Sequence, residues 1–309
     1  MIKYVPKMPN LKEKSFGGAW SVHDKYTSLS RDEAILKFIG NDKNYTEDRI
    51  EIIKKDFCET YKEWMFSNLK NVVGSKDFTE ACYTNGTCQS FDYFSLRYGK
   101  TRRMRISKSD YFYHQMMKRL FYPENYCFIE EDKLRKGDAL LISVPFSDTG
   151  NEPNNLEELL CICDDLEIPV LLDLAYLNLS LDIEIDLSHK CIEYVVSSLS
   201  KIFPIENHRV GIRLQRKIWE DQLYVFNDAE NNYINHMSAY IGTYLMTNWS
   251  SDYIFKKYRD KQLEYCKELD LEPSKCVIFG VDTNNHFPEY NRGGDTNRLC
   301  FSRVWDGRI

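Results

Sequence analysis

The chain has 309 residues, of which 43% are apolar and 28% charged, and a formal net charge of −6. That is the composition of a globular protein large enough to bury a substantial core, and its acidity argues against a general phosphate-backbone binder, so nucleic acid is not an expected partner. No apolar run is long enough to span a bilayer, and the opening Met-Ile-Lys-Tyr-Val-Pro-Lys lacks the apolar centre of a signal peptide, so a cytoplasmic protein without a membrane partner is expected.

Residues 46–72 place Ile50, Ile53, Phe57, Tyr61 and Met65 at helical intervals with acids near the start, which predicts a long amphipathic helix. From Asp77 strand and helix alternate. Strands are expected over 79–83, 102–106 and 138–144, with helices over 86–98 and 110–120 between them. Leu156, Leu159, Leu160 and Cys163 then fall on one helical face behind Asn155 as a cap. Strands ending at Asp173 and near Ser197 follow, and another covers 210–214. After Arg216 a long helical region runs to about Leu245 and a last helix covers 255–269. Short strands over 276–281 and 298–302 complete the chain. Repeating βα units predict a mainly parallel sheet covered on both faces. The basic run 100–105 (KTRRMR) reads as a solvated strand face. Ten cysteines are scattered singly without C-x-x-C, and six histidines lack metal-ligand spacing, so reduced thiols and no metal site are expected.

The chemistry concentrates in 170–211. An apolar run, VLL, ends in Asp173, with Tyr176 three residues on; a β-branched run ends in Ser198 and Lys201; Arg209 follows in H-R-V-G. An acid, a phenol, a hydroxyl, a lysine and an arginine at the carboxyl ends of successive buried strands are the parts a pyridoxal-phosphate site requires. In order and spacing this stretch resembles the fold-type I pyridoxal-phosphate enzymes, class I/II aminotransferase-like, and the resemblance runs from about Asp77 to Phe301.

The resemblance implies an α/β fold: the mainly parallel central sheet of the fold-type I large domain with a short α+β small domain. It places an amino-terminal arm and helix at 1–74, the cofactor-binding domain at 75–245 and a short small domain at 246–309. It implies a homodimer, pyridoxal 5'-phosphate as cofactor and an aminotransferase acting on an amino acid through a Lys201 Schiff base. Catalytic roles fall to Lys201, Asp173 and Tyr176. Lysine is a poor nucleophile while protonated, and a site that lowers its proton affinity turns it into nucleophile and base. Asp173 ends an apolar run and needs a cationic partner, which a protonated pyridine nitrogen provides; its plainer role is to cap the next turn. Tyr176 matches the tyrosine that meets the ring oxygen.

For the phosphate, Asn85, Gly86 and Thr87 lie between a strand and a helix, where free N–H groups favour an anion. Ser198 adds a hydroxyl and Arg209 a guanidinium able to bind bidentately. Tyr111 matches the aromatic that stacks on the ring, with Phe112 and Tyr113 as rivals. Arg298, in N-R-L-C-F-S, matches the arginine that holds a substrate α-carboxylate. The chain departs from the pattern at Pro145-Phe146-Ser147-Asp148-Thr149-Gly150, where Ser147 replaces the family asparagine facing the ring oxygen. Other fold-type I chemistry (lyase, decarboxylase, cyclase) and a non-catalytic module retaining the fold are the alternatives. A nicotinamide dehydrogenase is excluded, since no G-x-G-x-x-G follows a strand.

Overall fold

The computed structural model describes residues 47–218, 221–227 and 233–302. The chain divides into Met1–Ile52 and Ile53–Ile309. Of the first unit only the opening of helix α1 is described, so the expected arm before residue 47 lies outside the described residues.

In chain order the elements are α1 (Glu47–Phe66), β1 (Val72–Val73), β2 (Glu80–Thr84), α2 (Thr87–Tyr98), β3 (Arg103–Ile106), α3 (Phe112–Leu120), β4 (Tyr126–Phe128), β5 (Asp138–Ser143) and α4 (Leu156–Asp165). Then come β6 (Val170–Asp173), β7 (Ile185–Asp186), β8 (Ile192–Ser198), β9 (Gly211–Gln215), α5 (Gln222–Asn227), α6 (His236–Asn248), α7 (Tyr253–Glu268), β10 (Glu272–Pro273), β11 (Phe279–Asp282) and β12 (Asn297–Cys300). Seven strands form the main sheet in the order β2-β9-β8-β6-β5-β3-β4. All run parallel except β9, which is antiparallel to both of its neighbours.

The central strands read as unbroken apolar runs because both faces are covered. Along β5, Leu140 and Ile142 enter one core while Ala139 and Leu141 enter the other, and β6 and β8 divide in the same way. Phe57 of α1, Leu160 of α4 and Ala239 of α6 close the first face; Phe91 and Phe94 of α2 and Met117 of α3 close the second. Each fully buried leucine contributes about 1.5–3 kcal/mol. The carboxyl-terminal part is a small antiparallel sheet, β10-β11-β12, beside α7. The buried Gln262 amide of α7 donates to the carbonyls of Ser274 (3.0 Å), Cys276 (3.0 Å) and Phe279 (2.6 Å), tying helix to sheet.

Three sequence expectations change. The basic run is not a solvated face: Arg105 is fully buried, its guanidinium donating to Asp138 Oδ2 at 2.9 Å, and Arg103 meets the other oxygen of the same carboxylate at 2.7 Å. Register explains this, since Arg103 of β3 lies opposite Asp138 at the head of β5. The single helical region after Arg216 is two helices, α5 and α6, because Asn235 starts a new one by accepting the Ser238 N–H at 3.0 Å; residues 219–220 and 228–232 lie outside the described residues. Asn155 precedes α4, but its side chain makes no capping hydrogen bond, and Glu157 and Glu158 in the first turn favour the helix instead.

Candidate active site

The site lies where β2, β6 and β8 end and β9 begins. Thr84, Gly211 and Ser198 stand level across the three strands β2, β9 and β8. A Cβ on Gly211 would meet Thr84 Oγ1 at 2.7 Å, the Gly86 Cα at 2.9 Å and the Ser197 carbonyl at 2.9 Å, so only glycine lets the strands close here.

One cavity brings together Thr87, Tyr111, Asp173, Tyr176, Ser198, Lys201 and Arg209, seven residues singled out from sequence. Thr87 opens α2, and Gly86 before it has φ 74°. A Cβ on Gly86 would strike Arg209 Nη2 at 2.4 Å, so that glycine both turns the chain and admits the arginine. Arg209 itself is left-handed, φ 55°, and its guanidinium donates to the carbonyls of Glu206 (3.2 Å) and Asn85 (3.3 Å). Asn85 thus contributes its carbonyl, while its N–H donates to Gln89 Oε1 at 2.7 Å. Ser198 Oγ, 2.9 Å from the Val210 carbonyl, caps the short turn Leu199–Lys201 by accepting the Ser200 N–H at 3.2 Å. Lys201 ends that turn, exposed, with no hydrogen bond or ion pair among the described residues.

Asp173 ends β6 and is 3% exposed. Its Oδ1 accepts the Ala175 N–H at 3.1 Å, the turn-capping role, while Oδ2 faces His114 Nε2 at 3.8 Å. Burial pushes this carboxyl up to about 7, and Asp110 adds to the rise, against the opposing pull of His114, the Ala175 N–H and Lys201. On the far side of the imidazole, His114 Nδ1 lies 3.4 Å from Asp110 Oδ2, whose carboxylate accepts the Ser143 N–H at 2.9 Å and the Ser143 hydroxyl. Burial raises the Asp110 carboxyl, but His114 and Ser143 outweigh it and hold it below the usual range. Sequence reading passed over His114 and Asp110. The signal was present as the i,i+4 pair Asp110/His114 flanking Tyr111.

Of the three candidate aromatics Tyr111 lines the cavity, edge-on to His114 with centroids 5.7 Å apart, whereas Phe112 is 61% exposed and Tyr113 donates to Asp92 at 2.9 Å. Cys88, also in the lining, was not anticipated; burial pushes its thiol up.

Ser147 and Arg298 do not line this cavity and sit together beyond Tyr176. Arg298 donates to the Ser147 carbonyl and stacks on Phe279 at 4.1 Å, and Phe279 packs edge-on against Tyr176 at 5.1 Å. Burial pushes the Tyr176 phenol up to about 12, with Arg298 pulling the other way. The Ser147 hydroxyl is buried without a partner among the described residues. Arg292, missed in the sequence, donates to the Asp110 carbonyl at 3.3 Å, and burial followed by the nearby Arg298 charge lowers its pKa. Neither arginine forms an ion pair with a described carboxylate. Asp148 lies near both and is pushed up to about 6, mainly by burial.

No family model and no curated protein matches the chain. Solved structures do. Alanine aminotransferase from Pyrococcus furiosus superposes with a TM-score of 0.59 at 14% identity, covering 88% of this chain and 83% of that one. L-threonine-O-3-phosphate decarboxylase from Porphyromonas gingivalis gives 0.58 at 15%, covering 87% and 96%. A pyridoxal-phosphate-bound C–S lyase from Staphylococcus hominis gives 0.59 at 11%, covering 80% and 74%. The chain therefore has the aminotransferase-like fold of the fold-type I enzymes. Among the described residues no helix is long and apolar enough to cross a membrane.

Proposed function

We propose that the protein is a pyridoxal-phosphate-dependent enzyme of aminotransferase type acting on an amino acid. The observation that carries this reading is the single cavity that gathers Thr87, Tyr111, Asp173, Tyr176, Ser198, Lys201 and Arg209. The cavity suits the cofactor on its own terms: a buried carboxylate with one oxygen free of hydrogen bonds, an amine without a hydrogen bond or ion pair among the described residues, and a glycine at Gly86 that lets Arg209 come against the start of α2. When bound, pyridoxal phosphate supplies an aldehyde that condenses with amines and a ring that takes up the electron pair left at an amino acid's α-carbon.

The chain's residues divide the remaining work. Arg209, Ser198, Thr87 and the N–H groups at the start of α2 hold the phosphate, with Asn85 and Gly86 shaping the cradle. Asp173 would hold a proton on the pyridine nitrogen, which would relieve its buried charge, with His114 behind it. Tyr111 would face the ring and Tyr176 would serve the ring oxygen, whereas Ser147, expected in the asparagine's place, stands outside the cavity lining. Lys201, in the lining of the cavity, would supply the amine that holds the cofactor and the base that moves the proton at the substrate α-carbon. Arg298 binds the α-carboxylate, and Arg292 gives that side a second positive charge. A homodimer in the cytoplasm completes the reading, with 75–245 as the cofactor-binding domain and 246–309 as a short small domain.

A second reading, lyase or decarboxylase chemistry on the same site, is supported by Ser147 replacing the asparagine and by similar folds in a decarboxylase and a C–S lyase. The deciding experiment incubates the purified protein and cofactor with an amino-acid panel, with and without oxo acids, and identifies products by mass spectrometry. Amino-group exchange that requires an oxo acid supports the aminotransferase. Carbon dioxide or elimination products without one favour the second reading, and no turnover with cofactor bound points to a binding module.

A further inference from the structure

A cluster on the opposite end of the chemistry from the cofactor cavity joins α4 to the segment before β8. Glu157 and Cys161 stand one helical turn apart on the exposed side of α4, with Sγ 3.8 Å from Oε1. His189, from the connection between β7 and β8, places Nε2 3.1 Å from the same Oε1. The three atoms lie within 4.8 Å of one another. We propose that Glu157, Cys161 and His189 form a zinc-binding site, with Asp164 as the residue that orients the histidine.

Tetrahedral zinc at the usual Zn–N, Zn–O and Zn–S lengths needs ligand–ligand edges of roughly 3.3–3.7 Å. The Nε2–Oε1 and Sγ–Oε1 edges, 3.1 and 3.8 Å, fall just either side of that span. Glu157 and Cys161 are exposed and can turn onto a metal without disturbing the core. His189 is fixed: Nδ1 lies 2.6 Å from Asp164 Oδ2, and Asp164 Oδ1 accepts the Cys191 N–H at 2.6 Å. A carboxylate behind Nδ1 is the arrangement found behind metal-bound histidines; Nε2, which now meets Glu157 Oε1, would give up its proton to take the metal. The mixed nitrogen, sulfur and oxygen set suits zinc and not magnesium or calcium, which take oxygen ligands. Three protein ligands leave one position for water. A bound ion would clasp α4 to the start of β8. Two ligands share one turn of α4 and the third comes from the connection between β7 and β8, so their spacing in the sequence carries no metal signature.

The test uses the full chain, stripped with a chelator and titrated with zinc chloride and, separately, with cobalt(II). One metal per chain is expected, and the cobalt form should show a thiolate-to-metal charge-transfer band. Cys161→Ala should abolish that band and weaken zinc binding at least about tenfold, and Asp164→Asn should weaken it about 10–100-fold while sparing the band. No stoichiometric binding, or binding that persists unchanged in Cys161→Ala and His189→Gln, overturns the proposal. None of these readouts depends on the cofactor.

Discussion

His114 Nε2 lies 3.8 Å from Asp173 Oδ2, and both side chains are buried. The imidazole is sandwiched between two carboxylates, Asp173 towards the cavity and Asp110 behind, so a group outside the cavity lining opposes the rise that burial imposes on Asp173.

The first prediction concerns stability. Asp173 rises from the usual 3.8 to about 7 on folding, chiefly through burial. A carboxyl raised on folding binds its proton more tightly in the folded state. Its contribution is therefore fully present below the unfolded value and is lost as pH climbs from about 4 to about 7. The size is on the order of 4 kcal/mol. Urea unfolding of cofactor-free protein at pH 5 and pH 8 should show a larger loss in wild type than in Asp173→Asn. Equal losses would mean that Asp173 does not carry a strained charge.

Lys201 is tested by chemistry. Borohydride reduction in the presence of pyridoxal phosphate should fix the cofactor's mass on the peptide containing Lys201, and Lys201→Ala should not form the visible band that reduction removes. Mass on another lysine would displace the assignment.

Arg209 and Gly86 should act on cofactor affinity. Arg209→Ala removes a charge-assisted contact worth about 1.5–3 kcal/mol, a loss of roughly 10–100-fold. Gly86→Ala should give a comparable loss for a different reason, because its Cβ collides with the Arg209 guanidinium at a positive φ. Cofactor titration by fluorescence measures both; unaltered affinity in the pair would place the phosphate elsewhere.

Substrate contacts should separate from cofactor contacts. Arg298→Ala should raise the half-saturation for amino acids with the cofactor spectrum unchanged, and amines lacking a carboxylate should react almost normally. Arg292→Ala should weaken acidic amino acids more than neutral ones. Amino-acid turnover that is indifferent to Arg298 would end the carboxylate role.

The positions legible in the sequence were those whose meaning is local. Asp173, Ser198 and Lys201 each follow a buried strand, and parallel strands deliver their carboxyl ends to one edge. Residues defined by pairing across elements were not legible. His114 matters through Asp173, Arg292 through its neighbour Arg298, and Arg105 looked solvent-facing because its partner, Asp138, stands 33 residues away. The strand Tyr126–Phe128 was also missed, being three residues long and at the sheet edge.

The level alignment of Thr84, Gly211 and Ser198 makes the cavity a readout of the whole sheet. No single segment carries the proposed phosphate cradle; its parts stand together only while β2, β9 and β8 are in register. On the proposed reading, cofactor occupancy is then linked to global folding. A ligand at a hundredfold excess over its dissociation constant adds about 2.7 kcal/mol to stability. Damage far from the cavity, such as unpairing Asp138 from Arg105, would surface first as a lowered cofactor content at limiting supply, so holoenzyme fraction serves as a gauge of fold integrity as much as of catalytic competence.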